Sequence, residues 1–318
     1  MVRIFAVAFG LVTTLAALAP PAYGWGDVGH MTVAAAAYGQ LTPATKDRVR
    51  VLLALNPKHD HWLTMLPAGT LGADRDMMIF MIASTWPDQI KRDSTYQNDG
   101  DRPAGSPDPG GNHGYDDKLM HKYWHFVDTP FSTDHTPLPP IPTPNAAERI
   151  TLFRGVLASA AADPLKSYDL AWLLHVVGDV HQPLHCTTRV RAGNPEGDNG
   201  GNKVKVHCTG CPAQEDLHAF WDDVVGRARD GAAIAPAIAA AKKLPKPDPA
   251  LAAKSDAKDW IAEGFEAGKT KVYQPPVGPG HGPFTLTAGY LNSAKSLADK
   301  RVALAAARLA RLLNTELK

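Results

Sequence analysis

Apolar residues recur at helical spacing along the C-terminal segment, where Leu286, Tyr290, Leu291, Ala294, Leu297, Ala298, Ala305, Leu309 and Leu312 fall on one side of a helix. Similar Ala-rich patterning predicts further helices around residues 28–38, 43–54, 72–84, 146–161, 167–181, 214–229 and 250–270. No strand-turn-strand rhythm competes with it. The expected fold class is therefore all-α: one compact multi-helix domain, without internal repeats or an interdomain linker, although the length alone would permit two domains.

Two stretches resist regular assignment: 93–118, rich in Gly, Asp, Asn and Pro, and 129–145, which holds six prolines. Long loops in a compact domain tend to be functional rims or disordered segments, and these two flank Trp124-His125-Phe126. A third, Gly-rich loop spans 192–202.

The N-terminus reads as a secretory signal peptide over residues 1–24: Arg3, an apolar run from Ile4 to Ala19, then small residues up to Gly24. The run is shorter than the ~20 residues that span a bilayer, so the mature chain, residues 25–318, is expected to carry no membrane span. Export to the periplasm or beyond the cell is the corresponding expectation. The formal net charge is +1, and cleavage removes Arg3, which leaves cationic and anionic side chains equal in number. A protein that grips long duplex through many phosphates shows a basic surface, so nucleic acid would have to be held locally here. Three cysteines do not make a disulfide framework. Cys208 and Cys211 suit either a small disulfide loop or free thiols, since a structural zinc would need two more ligands and only His207 lies nearby.

The chemistry concentrates in Leu174-His175-Val176-Val177-Gly178-Asp179-Val180-His181-Gln182-Pro183-Leu184-His185. Four residues apart on a helix, His175 and Asp179 share a face, and Pro183 ends the helix so that His185 can turn back. His218 and Asp222 repeat the spacing. One such pair is explained by a simple hydrogen bond; two pairs with a third histidine point to metal. Imidazole and carboxylate without thiolate suit an open catalytic zinc site rather than a closed structural one. Asp88 in Trp86-Pro87-Asp88 and His125 in Tyr123-Trp124-His125 are weaker candidates, since Asp88 could simply cap a helix.

Signal cleavage would make Trp25-Gly26-Asp27-Val28-Gly29-His30 the start of the chain. That block, and the later motifs in their order, resemble the single-strand-specific zinc nucleases of fungi, plants and bacteria, the S-one/P-one family. The resemblance implies an almost wholly helical fold with three zinc ions at the bottom of a cleft. It implies Asp88, His125, His175 and Asp179 on the first zinc. A close neighbour would take the Trp25 amino nitrogen and carbonyl oxygen, His30 and the bridging Asp179. His185, His218 and Asp222 would hold the third. An α-amino group, with a pKa of ~7.7–8.0, can lose its proton to a metal near neutral pH. Export and cleavage would then complete the site, and the uncleaved precursor should be inactive.

Five neutral histidines and three aspartates against three zincs leave a formal charge of about +3, enough to draw a phosphodiester without a basic surface. The implied reaction is in-line attack on phosphorus by a metal-activated hydroxide, with the third zinc at the leaving 3′-oxygen and 5′-phosphate products. Substrates would be single-stranded DNA and RNA and 3′-nucleotides. Lys91 matches a family residue that neutralises phosphate, or is a surface lysine. Phe126 matches a base-stacking aromatic, or is core; Asp128 matches an acceptor for a base edge. Asn202, in Asp198-Asn199-Gly200-Gly201-Asn202, matches a contact to phosphate or a brace for a ligand, or belongs to a plain turn. His181 is read as a brace at the helix end. His59, His61, His113, His121, His135, His207 and His281 match nothing and are read as surface or structural.

Two other readings compete. A zinc phospholipase C shares this architecture, but its last helix pairs His with Glu where this chain has Asp222, and it lacks the Trp-His-Phe-x-Asp segment. A zinc-storage protein would bind metal without turnover. No oligomer signal is present, and a monomer is expected.

Overall fold

The structure, a computed structural model, describes residues 24–99, 112–212 and 215–317; residues 1–23 of the expected signal peptide and part of the 93–118 loop lie outside the described residues. Twelve α-helices occur among them: α1 (Asp27–Tyr38), α2 (Pro43–Leu53), α3 (His59–Thr64), α4 (Gly72–Ala83), α5 (Trp86–Gln89), α6 (Ala146–Ala158), α7 (Asp163–Asp179), α8 (Leu217–Asp222), α9 (Ile234–Ala241), α10 (Pro249–Ala253), α11 (Ala257–Ala267) and α12 (Ala288–Glu316). The all-α expectation holds.

At the centre lies α7. From Ser167 to Asp179 every residue is buried, so the helix is enclosed on all sides and its few polar side chains have to find partners inside. Around it pack α6, α2, α5, α12 and α1, while α1 also meets α9 and α4. The ends of these helices are set by local chemistry. Asn145 caps α6, with its Oδ1 accepting from Ala147 N (3.0 Å) and Glu148 Oε2 accepting from Asn145 N (3.0 Å). Thr287 caps α12 by accepting from Tyr290 N. The long stripe on α12 is covered as the periodicity demands: Ala298, Ala305, Leu309 and Leu312 enter the main core, while Leu286, Tyr290 and Ala294 enter a second, smaller one with Trp221, Val272 and Tyr273.

Three expectations needed correcting. The helix read over 214–229 is only α8, because the chain turns after Asp222 to wrap around the first helix. Gly226 packs so close to Val28 that a Cβ would lie 2.9 Å from its side chain, and Arg229 is tied back to Asp223. The helix read over 250–270 is two, α10 and α11, since Lys254 is extended and Asp256 starts a new cap on Lys258 N. Five short strands also occur among the described residues: β1 (Pro130–Ser132) runs parallel to β2 (Thr188–Val190), and β3 (Lys205–His207) lies between β4 (Glu215–Asp216) and β5 (Phe284–Thr285). Strands of two or three residues leave no alternation long enough to detect. They tie the long loops to the ends of α7 and α8, which is where the candidate ligands sit.

Candidate metal centre

Burying His175 and Asp179 on an otherwise apolar helix costs free energy unless each polar atom is satisfied. Both side chains are fully buried, and the chain brings four more elements to them. Asp88 arrives on α5. His125 arrives on the 3-10 turn Lys122–His125, His185 on the turn Pro183–His185, and His30 on α1. Three groups result, each with ligand atoms within 4.8 Å of one another: His30, His175 and Asp179; Asp88, His125 and His175; and His185, His218 and Asp222. Cys208, Cys211 and Glu215 also converge, but Cys208 and Cys211 form a disulfide, which removes their thiolates as ligands; Cys186 is free and buried.

Distances within the first two groups are short. Asp179 Oδ2 lies 3.0 Å from His125 Nδ1 and 3.1 Å from His175 Nε2, while Asp179 Oδ1 lies 3.3 Å from His30 Nε2. One carboxylate thus faces both groups, in the position of a bridge. Asp88 Oδ1 lies 3.6 Å from His175 Nε2 and 3.9 Å from His125 Nδ1. In the third group His185 Nε2 and His218 Nε2 are 3.1 Å apart, and Asp222 Oδ2 is 3.6 Å from His218 Nε2.

The groups fit a metal on several counts. His30 Nε2 and Asp179 Oδ1, which face each other in the group, are buried without a hydrogen-bond partner, an expensive arrangement for a site meant to stay empty. Three imidazoles are oriented by their rear nitrogens: Nδ1–H of His175, His185 and His218 donates to the carbonyls of Ser84 (2.7 Å), His125 (2.8 Å) and Gly200 (2.7 Å), which turns each Nε2 inward. Burial, reinforced by His175, lowers His30 to about 4; burial, reinforced by Lys91, lowers His125 to about 3. Both rings are therefore neutral donors at neutral pH. Burial alone would raise Asp88, but the Lys91 ammonium and the imidazoles around it pull it below the usual carboxylate range; His175 and His185 do the same for Asp179. Those two carboxylates in turn raise His175 against the effect of its burial, so the pocket draws positive charge. Burial pushes Asp222 well up, despite the donation it receives from Gln182, and a cation against it would relieve that cost.

Trp25 and its flanks are built into the same place. A Cβ on Gly24 would lie 1.5 Å from Asp179 Oδ1 and 2.9 Å from His30 Nε2, so the backbone at the Gly24–Trp25 junction rests on the group of His30, His175 and Asp179. Gly26 N donates to the Asp222 carbonyl (2.8 Å) and anchors that backbone on α8. Gly29 and Gly178 provide the room: a Cβ on Gly29 would meet the Trp25 Cβ at 2.6 Å, and one on Gly178 the His30 ring at 2.8 Å.

All nine positions named from the sequence thus converge: Trp25, His30, Asp88, His125, His175, Asp179, His185, His218 and Asp222. Lys91 is buried, not a surface lysine, and its Nζ donates to Asp88 Oδ1 (2.8 Å). Phe126 is half-buried and packs on the edge of the main core, and Asp128 is half-buried two residues on. Asn202 Nδ2 donates to the Asn199 carbonyl (2.7 Å), within its own turn. His181 is fully buried, its Nδ1–H donating to Val177 O (2.7 Å) and its Nε2 accepting from Arg308 (2.8 Å). His121 is buried as well, paired with Asp117 (2.8 Å) and Asp99 (3.2 Å) and stacked on Trp124, a structural role. Sequence reasoning missed Gln182, whose Nε2 holds Asp222 Oδ1 at 2.8 Å. Its place between His181 and Pro183, inside the ligand segment, was the available signal. The three carbonyl acceptors left no signal, since any residue supplies one.

The S1/P1 Nuclease family model matches residues 25–318. Endonuclease 3 of Arabidopsis thaliana is 43% identical over 56 residues, a stretch that covers 18% of this chain and 16% of that protein.

Proposed function

Because the chain belongs to the S1/P1 nuclease family, we propose that it is a zinc-dependent nuclease of single-stranded DNA and RNA that also acts on 3′-nucleotides and leaves 5′-phosphates. The observation that carries this reading is the convergence of three buried His/Asp groups on one floor, with Asp179 facing two of them. Three zinc ions would be held there: by Asp88, His125, His175 and Asp179; by His30, Asp179 and the amino and carbonyl groups of Trp25; and by His185, His218 and Asp222. Bound zinc supplies Lewis acidity, which activates water near neutral pH and takes up charge on a leaving oxygen.

The chain's own residues do the rest. Lys91 fixes Asp88 through its 2.8 Å bond and brings a buried cation to the side where a phosphate would enter. Phe126 and Asp128 follow His125 directly, so a base stacked on Phe126 would set its phosphate over the floor, while Asp128 accepts from the base edge. Stacking on an aromatic face tolerates any base but needs one freed from a duplex, which favours single strands. Asn202 would contact the phosphate from the Gly-rich turn.

The amino ligand requires a free N-terminus at Trp25, and the apolar leader ending at Gly24 provides for it. The family match beginning at Trp25 supports that boundary, and secretion follows from it. No helix among the described residues is long and apolar enough to cross a membrane.

The test uses the chain starting at Trp25. Zinc content and hydrolysis of single-stranded DNA, RNA, 3′-nucleotides, duplex DNA and phosphatidylcholine are measured before and after chelation. Three zincs and preferential, chelator-sensitive cleavage of single strands are expected. Hydrolysis of the lipid alone, or zinc binding without turnover, would overturn the proposal.

A further inference from the structure

The turn Asp198–Asn202 does more than connect strands. Asn199, Gly200 and Gly201 have φ values of 51°, 56° and 86°, three successive residues in the left-handed region, a shape that two glycines and an asparagine allow but do not by themselves fix. One carboxylate oxygen holds it. Asp198 is buried, and its Oδ1 accepts from Arg189 N (3.0 Å), Gly201 N (3.1 Å) and Tyr273 OH (2.9 Å), with Arg189 Nε 3.6 Å from Oδ2.

The Gly201 N–H and the Gly200 C=O belong to one planar peptide group. Its N–H points to Asp198 Oδ1, and its oxygen accepts Nδ1–H of His218 at 2.7 Å. A continuous line therefore runs from the buried carboxylate, through a single peptide unit, to the imidazole whose Nε2 faces His185 and Asp222. Hydrogen bonds in series polarise one another, and a negative charge at one end makes the Gly200 oxygen a stronger acceptor and His218 Nε2 a better donor to a cation. The fit at Gly200 is close: a Cβ there would lie 2.4 Å from the Leu184 carbonyl and 3.1 Å from His218 Nδ1, so the peptide can approach the ring only without a side chain.

We propose that Asp198 is a positioning residue for the third zinc, acting on His218 through the Gly200–Gly201 peptide. The proposal rests on the three-zinc reading above and adds a distant residue to it. It predicts a defect confined to one of three metals, which a merely structural aspartate would not produce.

The experiment titrates the zinc-loaded enzyme starting at Trp25 with a chelator and counts retained zinc in the parent, Asp198→Asn and Asp198→Ala. Loss of a partner that orients a ligand costs about 10–100-fold in metal affinity. The Ala variant should therefore release one zinc at about 10–100-fold lower free chelator while keeping two. The Asn variant keeps an Oδ1 acceptor without the charge and should fall between the two. In its zinc-loaded form the proton resonance of His218 Nδ1–H should also shift. If the Ala variant does not fold, the Asn variant decides alone. Retention of the third zinc at parental chelator levels overturns the relay, as does parallel loss of all three. A parent enzyme without a third zinc would sink the three-zinc reading and the relay with it.

Discussion

A chain that keeps Gly24 in front of Trp25 presents an amide, not an amine, to the group of His30, His175 and Asp179, and an amide nitrogen has its lone pair delocalised into the carbonyl, out of reach of a metal. The geometry sharpens the point. With Gly24 in place its backbone already lies against Asp179 and His30, and a Cβ there would sit 1.5 Å from Asp179 Oδ1, less than half of a normal non-bonded separation of ~3.5 Å. On the proposed three-zinc reading, the Gly24-extended form should bind one zinc fewer than the form starting at Trp25. The same extended form carrying Gly24→Ala should in addition displace Asp179 and weaken the group of Asp88, His125 and His175. Metals on both the attacking and the leaving side contribute several kcal/mol of transition-state stabilisation. Loss of ~4 kcal/mol corresponds to a fall in kcat of about a thousandfold at 1.36 kcal/mol per decade. Zinc analysis of the three proteins, with steady-state cleavage of a single-stranded oligonucleotide, measures both effects. A Gly24-extended enzyme with three zincs and the full rate would refute the amino-ligand reasoning.

Other outcomes follow from the same structure. Phe126→Ala should lower kcat/KM on single-stranded DNA by about 5–150-fold, the equivalent of ~1–3 kcal/mol of stacking, with zinc content unchanged; an unaltered kcat/KM would return Phe126 to the core. Burial, against the amide of Asn112 and the charge of Arg149, pushes Asp169 up from 3.8 to about 8. The folded chain then keeps a proton that the unfolded chain has released, so this group makes stability fall as pH rises through the window from about 4 to about 8. In Tm measurements between pH 6 and 8 with zinc present, Asp169→Asn should flatten that slope, and parallel curves for the two proteins would count against it. Arg308, buried between Glu263, His181 and the Leu251 carbonyl, braces the end of α7 from α12. Arg308→Met should cost about 3 kcal/mol in urea unfolding of the zinc-loaded protein, since Glu263 keeps Arg301 and Lys254 as partners; a loss below ~1 kcal/mol would mean that the network contributes little.

The helical class and the pairing of candidate ligands were legible because both depend on short periodicities. A spacing of four places His175 with Asp179, and His218 with Asp222, on one helix face whatever surrounds them. The stripe on α12 is equally local. By contrast, the chain turns away after α8 where Gly226 packs against Val28, a contact distant in sequence. The burial of Lys91 and His121 likewise depended on which loops folded over them, so residue type alone left each open between surface and interior.

What the sequence by itself determined is the inventory: a helical chain and, in one order along it, the five imidazoles and three carboxylates of the candidate centre. Only the tertiary structure decided that His30, from the first helix, stacks on His175 at 3.9 Å, that Asp179 faces two groups at once, and that backbone carbonyls of Ser84, His125 and Gly200 orient the rings. The reason is physical. Side-chain identity carries ligand chemistry, whereas orientation is set by main-chain oxygens that every residue shares, and their placement exists only once the chain has closed on itself.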